Sequence, residues 1–151
     1  MNKLICGIAL AFAVIATAAC GGEKIYLRMQ NVDTADVHVV PTEIMINGSK
    51  LWVKIMVTNG SQGTLLLQRD QITCHVPNGM TLTRAVGTWG HAYGTGYAPY
   101  ILPPGAMHPV YIEFEEQGFK WKDMPSAQID FNTAITKDGQ PVPVPPFTVS
   151  R

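Results

Sequence analysis

The chain has 151 residues, with 11 basic and 11 acidic side chains, 15% charged positions and 46% hydrophobic ones. That length suits one domain. The balanced charge excludes the basic footprint of a nucleic-acid binder, and the apolar fraction excludes an acidic disordered chain. With 14 glycines and 11 prolines punctuating the backbone, long helices are not expected beyond the N-terminus.

The chain opens with Met1-Asn2-Lys3, followed by an uncharged apolar run from Leu4 to Ala19. The run is shorter than the ~20 residues that span hydrocarbon and suits the apolar part of a signal helix. It closes on Thr17-Ala18-Ala19-Cys20-Gly21, which resembles the lipobox of bacterial lipoproteins. The resemblance implies that residues 1–19 are a signal peptide and that Cys20 becomes the acylated, palmitate-type first residue. Gly21, rather than Asp, implies sorting to the outer membrane, facing the periplasm. Several acyl chains anchor stably where one does not. With Cys6 in the signal and Cys20 acylated, Cys74 is left alone and has no internal disulfide partner. Cys74 is expected as a small buried hydrophobe in a strand. Residues 20–35 read as the lipidated cysteine and its tether, with one possible strand over 24–29, and residues 36–151 as the folded domain.

Beyond the tether, period-two alternation dominates. Leu51, Val53, Ile55 and Val57 share one face of a strand over 50–58, with Trp52, Lys54, Met56 and Thr58 on the other. Val110, Ile112 and Phe114 repeat the pattern, and Ile129, Phe131, Thr133 and Ile135 predict a third alternating strand. Shorter strands are expected at 42–46, 64–68, 71–76, 80–86 and 142–149. Asn47-Gly48, Asn59-Gly60, Asn78-Gly79 and Asp138-Gly139 are expected as tight turns, because glycine and asparagine tolerate positive φ. The two Asn-Gly-Ser triplets, 47–49 and 59–61, are read as turns. This pattern predicts an all-β antiparallel sandwich of about 7–9 strands, preceded by an N-terminal signal helix.

The order of Val57-Thr58-Asn59-Gly60-Ser61, the Asn78-Gly79 turn, Leu102-Pro103-Pro104-Gly105 and Tyr111-Ile112-Glu113-Phe114 resembles small immunoglobulin-like domains of secreted bacterial lipoproteins. The resemblance covers about residues 42–135 and implies an immunoglobulin-like sandwich. Its motifs are structural and imply no activity.

No nucleophile elbow, phosphate-binding glycine loop or dinucleotide fingerprint occurs, so no catalytic residue, enzyme activity or cofactor is expected. Glu113 and Glu115 read as the outward face of a strand, and Arg69-Asp70 as a surface turn pair. Lys120-Trp121-Lys122 reads as a loop whose ring tucks into the core. Soft and imidazole donors at His75, His91, Met107 and His108 raise copper binding as an alternative, although their spacing is not that of a compact site.

The most informative stretch is the uncharged one. From Ala85 to Ile112 there is no Asp, Glu, Lys or Arg, and residues 87–100 are rich in glycine and aromatics. A long loop in a compact domain is usually functional or disordered, and aromatic content opposes disorder. Trp89, His91, Tyr93, Tyr97 and Tyr100 are therefore the candidate contact residues for an envelope protein partner. The same rings would also suit a peptidoglycan or other glycan face, or would pack on the sandwich against Trp52 or Tyr111. The expected function is that of a non-enzymatic, lipid-anchored interaction or scaffold module.

Overall fold

The computed structural model describes residues 24–83, 99–116 and 119–151. The expected signal helix, the lipobox and Cys20 fall outside them. The described residues form strands β1 (Lys24–Tyr26), β2 (Val32–Asp33), β3 (Val37–Asn47), β4 (Lys50–Asn59), β5 (Leu65–Leu67), β6 (Thr73–His75) and β7 (Thr81–Leu82). They continue with β8 (Tyr100–Leu102), β9 (Met107–Glu115), β10 (Ser126–Asp130), β11 (Ile135–Lys137), β12 (Gln140–Pro141) and β13 (Phe147–Ser150). Single 3-10 turns occur at Arg69–Gln71 and Trp121–Asp123, and no α-helix is present among the described residues.

Three antiparallel sheets result, an all-β arrangement that fits a β-sandwich. The first has the order β1-β3-β4-β9, with β2 also on β3. The others have the orders β13-β10-β6-β7 and β12-β11-β5-β8. These last two are halves of one layer, because β5 runs on into β6 while their partners β11 and β10 run the opposite way beside them. The break between the halves is stitched by Gln68 N–H to the Ala134 carbonyl at 2.7 Å and by Asn132 Nδ2 to the Gln71 carbonyl at 3.1 Å.

The alternation in β4 is realised as expected: Leu51, Val53, Ile55 and Val57 are buried, and β9 supplies Val110, Ile112 and Phe114 opposite them. One continuous cluster fills the interior, with Trp121, Phe114 and Phe131 its largest fully enclosed side chains. Each such side chain contributes about 1.5–3 kcal/mol of transfer free energy. Cys74 is enclosed as expected, and burial pushes its thiol up to about 12. The Trp121 ring is tucked into the core between exposed Lys120 and Lys122.

The sequence expectation differs from the structure in three places. Residues 24–35, expected as a tether with at most one strand, carry β1 and β2, both paired with β3, and Leu27 is buried. The strand expected across 129–135 is two, because Asn132 takes φ 45° and its N–H is capped by Asp130 Oδ1 at 2.7 Å. Among the described residues there are thirteen strands rather than 7–9, because β5/β6, β7/β8, β10/β11 and β12/β13 each share one line of a layer; joining these halves gives nine.

Candidate functional site

The glycine- and aromatic-rich part of the uncharged stretch is flanked by two strands on one edge of the fold. Leu82 of β7 pairs with Cys74, and Tyr100 of β8 pairs with Leu67. Both strands form the same outer edge of the interrupted layer. Residues 84–98 between them, with Trp89, His91, Tyr93 and Tyr97, lie outside the described residues. From β8 the chain crosses through Pro103–Ala106 to β9, which is the edge of the first sheet. The stretch 85–112 thus supplies an edge to each layer, and these two edges form one side of the sandwich.

Tyr100 ties the two edges together. Its ring lies against the His108 imidazole, with centroids 3.9 Å apart and planes tilted by 36°. The Arg69 guanidinium carbon stands 5.4 Å from the same ring centroid, within cation–π range. Arg69, expected as half of a surface turn pair, is instead buried at 5% exposure. The cause is its place in the turn between β5 and β6, which directs it under β8 rather than outward. His108 is held below the usual imidazole range, first by burial and then by the positive charge of Arg69. At neutral pH it is an uncharged ring, packed with Tyr100. Tyr100, half-buried, is therefore the inner end of the candidate surface.

Exposed apolar side chains occur on both edge strands of this side. Ile101 is 70% exposed on β8, Met107 67% exposed on β9, and Tyr111 stands on the same face of β9 as Met107. Tyr26 and Val40 are further exposed apolar groups on the outer face of the first sheet. Sequence reading named Tyr100 but not Ile101, which only register can place outward: it pairs with Leu66 between two positions that face the core.

The donors considered for copper are dispersed among the described residues. His75 faces out from β6, bonded to Thr81 Oγ1 at 2.9 Å and 3.8 Å from Asp130 Oδ2. Met107 faces out from β9, while His108, its neighbour, faces inward. His91 lies outside the described residues. No group of three or more His, Cys, Asp or Glu able to hold a metal ion occurs among the described residues. His38 and Asp33 form a pair at 3.0 Å, but no serine or cysteine is bonded to that imidazole among the described residues. The carboxylates of Glu113 and Glu115 stand 2.9 and 3.7 Å from the Lys50 ammonium, as an outward charge cluster.

No family model matches this chain, and no curated protein matches it. Among solved structures it is similar to a protein of Listeria monocytogenes EGD-e described as functionally unknown, with a TM-score of 0.53 and 16% identity. The likeness covers 83% of this chain and 87% of that one and concerns the fold alone.

Proposed function

We propose that the chain is a lipid-anchored cell-envelope protein, held at Cys20 on the periplasmic face of the outer membrane, that binds a protein partner and performs no catalysis. The binding surface is the side of the sandwich formed by β8, β9 and the uncharged residues 85–112. One observation carries this reading: the described part of the uncharged stretch presents Ile101 and Met107 to solvent at 70% and 67% exposure. Large exposed apolar side chains are candidates for contact surfaces. Ile101 stands outward from the second layer and Met107 outward from the first, on either side of an edge whose framework is the packed Tyr100–His108–Arg69 cluster. In this reading Trp89, His91, Tyr93 and Tyr97 are further contact residues for the partner.

The immunoglobulin-like type of sandwich belongs to the same proposal. It is supported by the nine joined strands among the described residues and by the crossings between layers from β4 to β5, from β8 to β9 and from β9 to β10.

The test is crosslinking in cells, with partners identified by mass spectrometry for the wild type and for an Ile101→Ser/Met107→Ser/Trp89→Ser/Tyr93→Ser variant. A partner captured by the wild type and lost from a folded variant is the expected result. The same partners captured by both would overturn the proposal.

A further inference from the structure

The end of the sandwich where β1 begins carries a second feature. Ile25, Ile46, Phe119 and Trp121 line an open cleft of about 330 Å³, with Lys120 and Lys122 on its rim. The Phe119 ring meets Trp121 edge-on, with centroids 4.7 Å apart at 79°. Trp121 is 1% exposed, yet its indole Nε1 has no acceptor among the described residues. Lys120 and Lys122 are exposed and form no ion pair among the described residues, whereas the nearby Glu113 and Glu115 are taken up by Lys50.

Chain length places this end. Lys24 pairs with Asn47 at the β3–β4 hairpin, beside the cleft, and Cys20 lies only four positions before it. Fully extended, four residues reach no more than about 14 Å. Resting on the reading of Cys20 as acylated, we infer that the cleft end docks on the phospholipid surface that holds the anchor. Phe119 and the cleft meet the interfacial layer, where aromatic side chains are favoured, and Lys24, Lys120 and Lys122 face anionic headgroups. Glu116 and Asp123 offset part of that charge, so apolar contact carries most of the docking. The opposite end, where Thr58 pairs with Met107, then points away from the bilayer by the length of β4, roughly 30 Å. The partner-binding side stands upright between the two ends.

The test uses the full-length acylated protein in vesicles of phosphatidylethanolamine and phosphatidylglycerol. Because Cys74 is enclosed, a fluorophore on a Lys122→Cys variant labels that position alone. A Pro104→Cys variant reports the far end. The expected result is a blue shift at position 122 and loss of its emission to a headgroup-nitroxide lipid, with neither at position 104. Replacing phosphatidylglycerol by phosphatidylcholine reduces the loss; an unchanged loss would overturn the part given to the lysines. Mass measurement of the same sample separates the two ideas. Unmodified Cys20 defeats the anchor and the docking with it, whereas acylated Cys20 with an unquenched probe at 122 defeats the docking alone. A blue shift without quenching means that a second copy or the protein's own acyl chain covers the cleft, which also overturns it.

Discussion

The sequence Asn-Gly-Ser occurs twice, at 47–49 and 59–61, and the fold uses the two copies in opposite ways. Asn47-Gly48-Ser49 is an exposed hairpin turn between β3 and β4. Gly48 has φ 61° and nothing within 4 Å of an added Cβ, and Ser49 Oγ donates to the Glu115 carboxylate at 3.0 Å in solvent. The Asn47 amide makes no side-chain bond among the described residues. Asn59-Gly60-Ser61 is the point where the chain leaves one layer for the other, and Asn59 is 1% exposed. Its Nδ2 donates to the Gly63 and Leu102 carbonyls, both at 2.8 Å, and its Oδ1 accepts from Ser61 N–H and Oγ, also at 2.8 Å. Its backbone exchanges bonds with Ala106 and Gly105 at 2.9 Å. Identical residues thus serve as a solvent turn in one place and as a fully bonded polar clasp in the other. Local sequence sets what a segment is able to do; the strands on either side decide which option is used.

The largest expected effect breaks the clasp. Asn59→Ala takes the side-chain donor from the Gly63 and Leu102 carbonyls and the acceptor from the Ser61 N–H, and should cost about 3–4 kcal/mol, whereas Asn47→Ala should cost under about 0.5 kcal/mol. Urea unfolding of both variants checks this; equal costs would erase the distinction. Asn59→Asp should be no rescue, because a carboxylate has no donor for the two carbonyls.

The glycines give the next contrast, for different reasons. Gly48→Ala is strained only by its left-handed backbone, about 1 kcal/mol. At Gly60 no positive φ occurs, but an added Cβ would stand 2.7 Å from His38 Nε2. Gly60→Ala displaces the half-exposed imidazole from its place beside Asp33, and should cost about 1 kcal/mol or less. A His38→Ala background should remove most of that cost for Gly60→Ala and none for Gly48→Ala, which a double-mutant cycle measures directly. For the hydroxyls, Ser61→Ala should cost about 1 kcal/mol and Ser49→Ala a few tenths, since only the Ser61 hydroxyl bonds within the enclosed clasp.

The parts legible in the sequence were those where one rule acted alone. β4 and β9 alternate without a break, and their buried faces follow from period two. The start of β3 was hidden because Pro41 sits inside it, at a register shift between Pro41 and Glu43 that lets the strand bend past the missing donor. The split at 131–134 was hidden because Phe131 and Ile135 keep the period of a single strand, while the turn is made by Asn132 and not by a glycine. At the candidate surface, composition alone exposed the uncharged stretch. That its flanking strands share one edge, and that Arg69 lies beneath Tyr100, depend on pairing between distant strands, which no local pattern encodes.

The smallest effect separates the two triplets by pH. The clasp contains no titratable group, so the cost of Asn59→Ala should stay constant from pH 8 to 11. Beside the exposed turn, the bond to Glu113 holds the Lys50 ammonium above its usual range. A base whose folded value is raised adds stability that is complete below the unfolded value of 10.5 and fades as pH rises through the folded one. Lys50→Met should therefore cost about 1 kcal/mol or less below pH 10 and progressively less above it, the small size reflecting a partly hydrated pair. Cys74 makes every variant less stable above its unfolded value of 9.0, because the enclosed thiol keeps its proton until about 12 while the unfolded chain releases it. That decline, about 1.4 kcal/mol per pH unit, is common to wild type and variant and cancels in their difference. A Lys50→Met difference that stays flat through pH 11, or an Asn59→Ala difference that falls with it, would place the electrostatics at the wrong triplet.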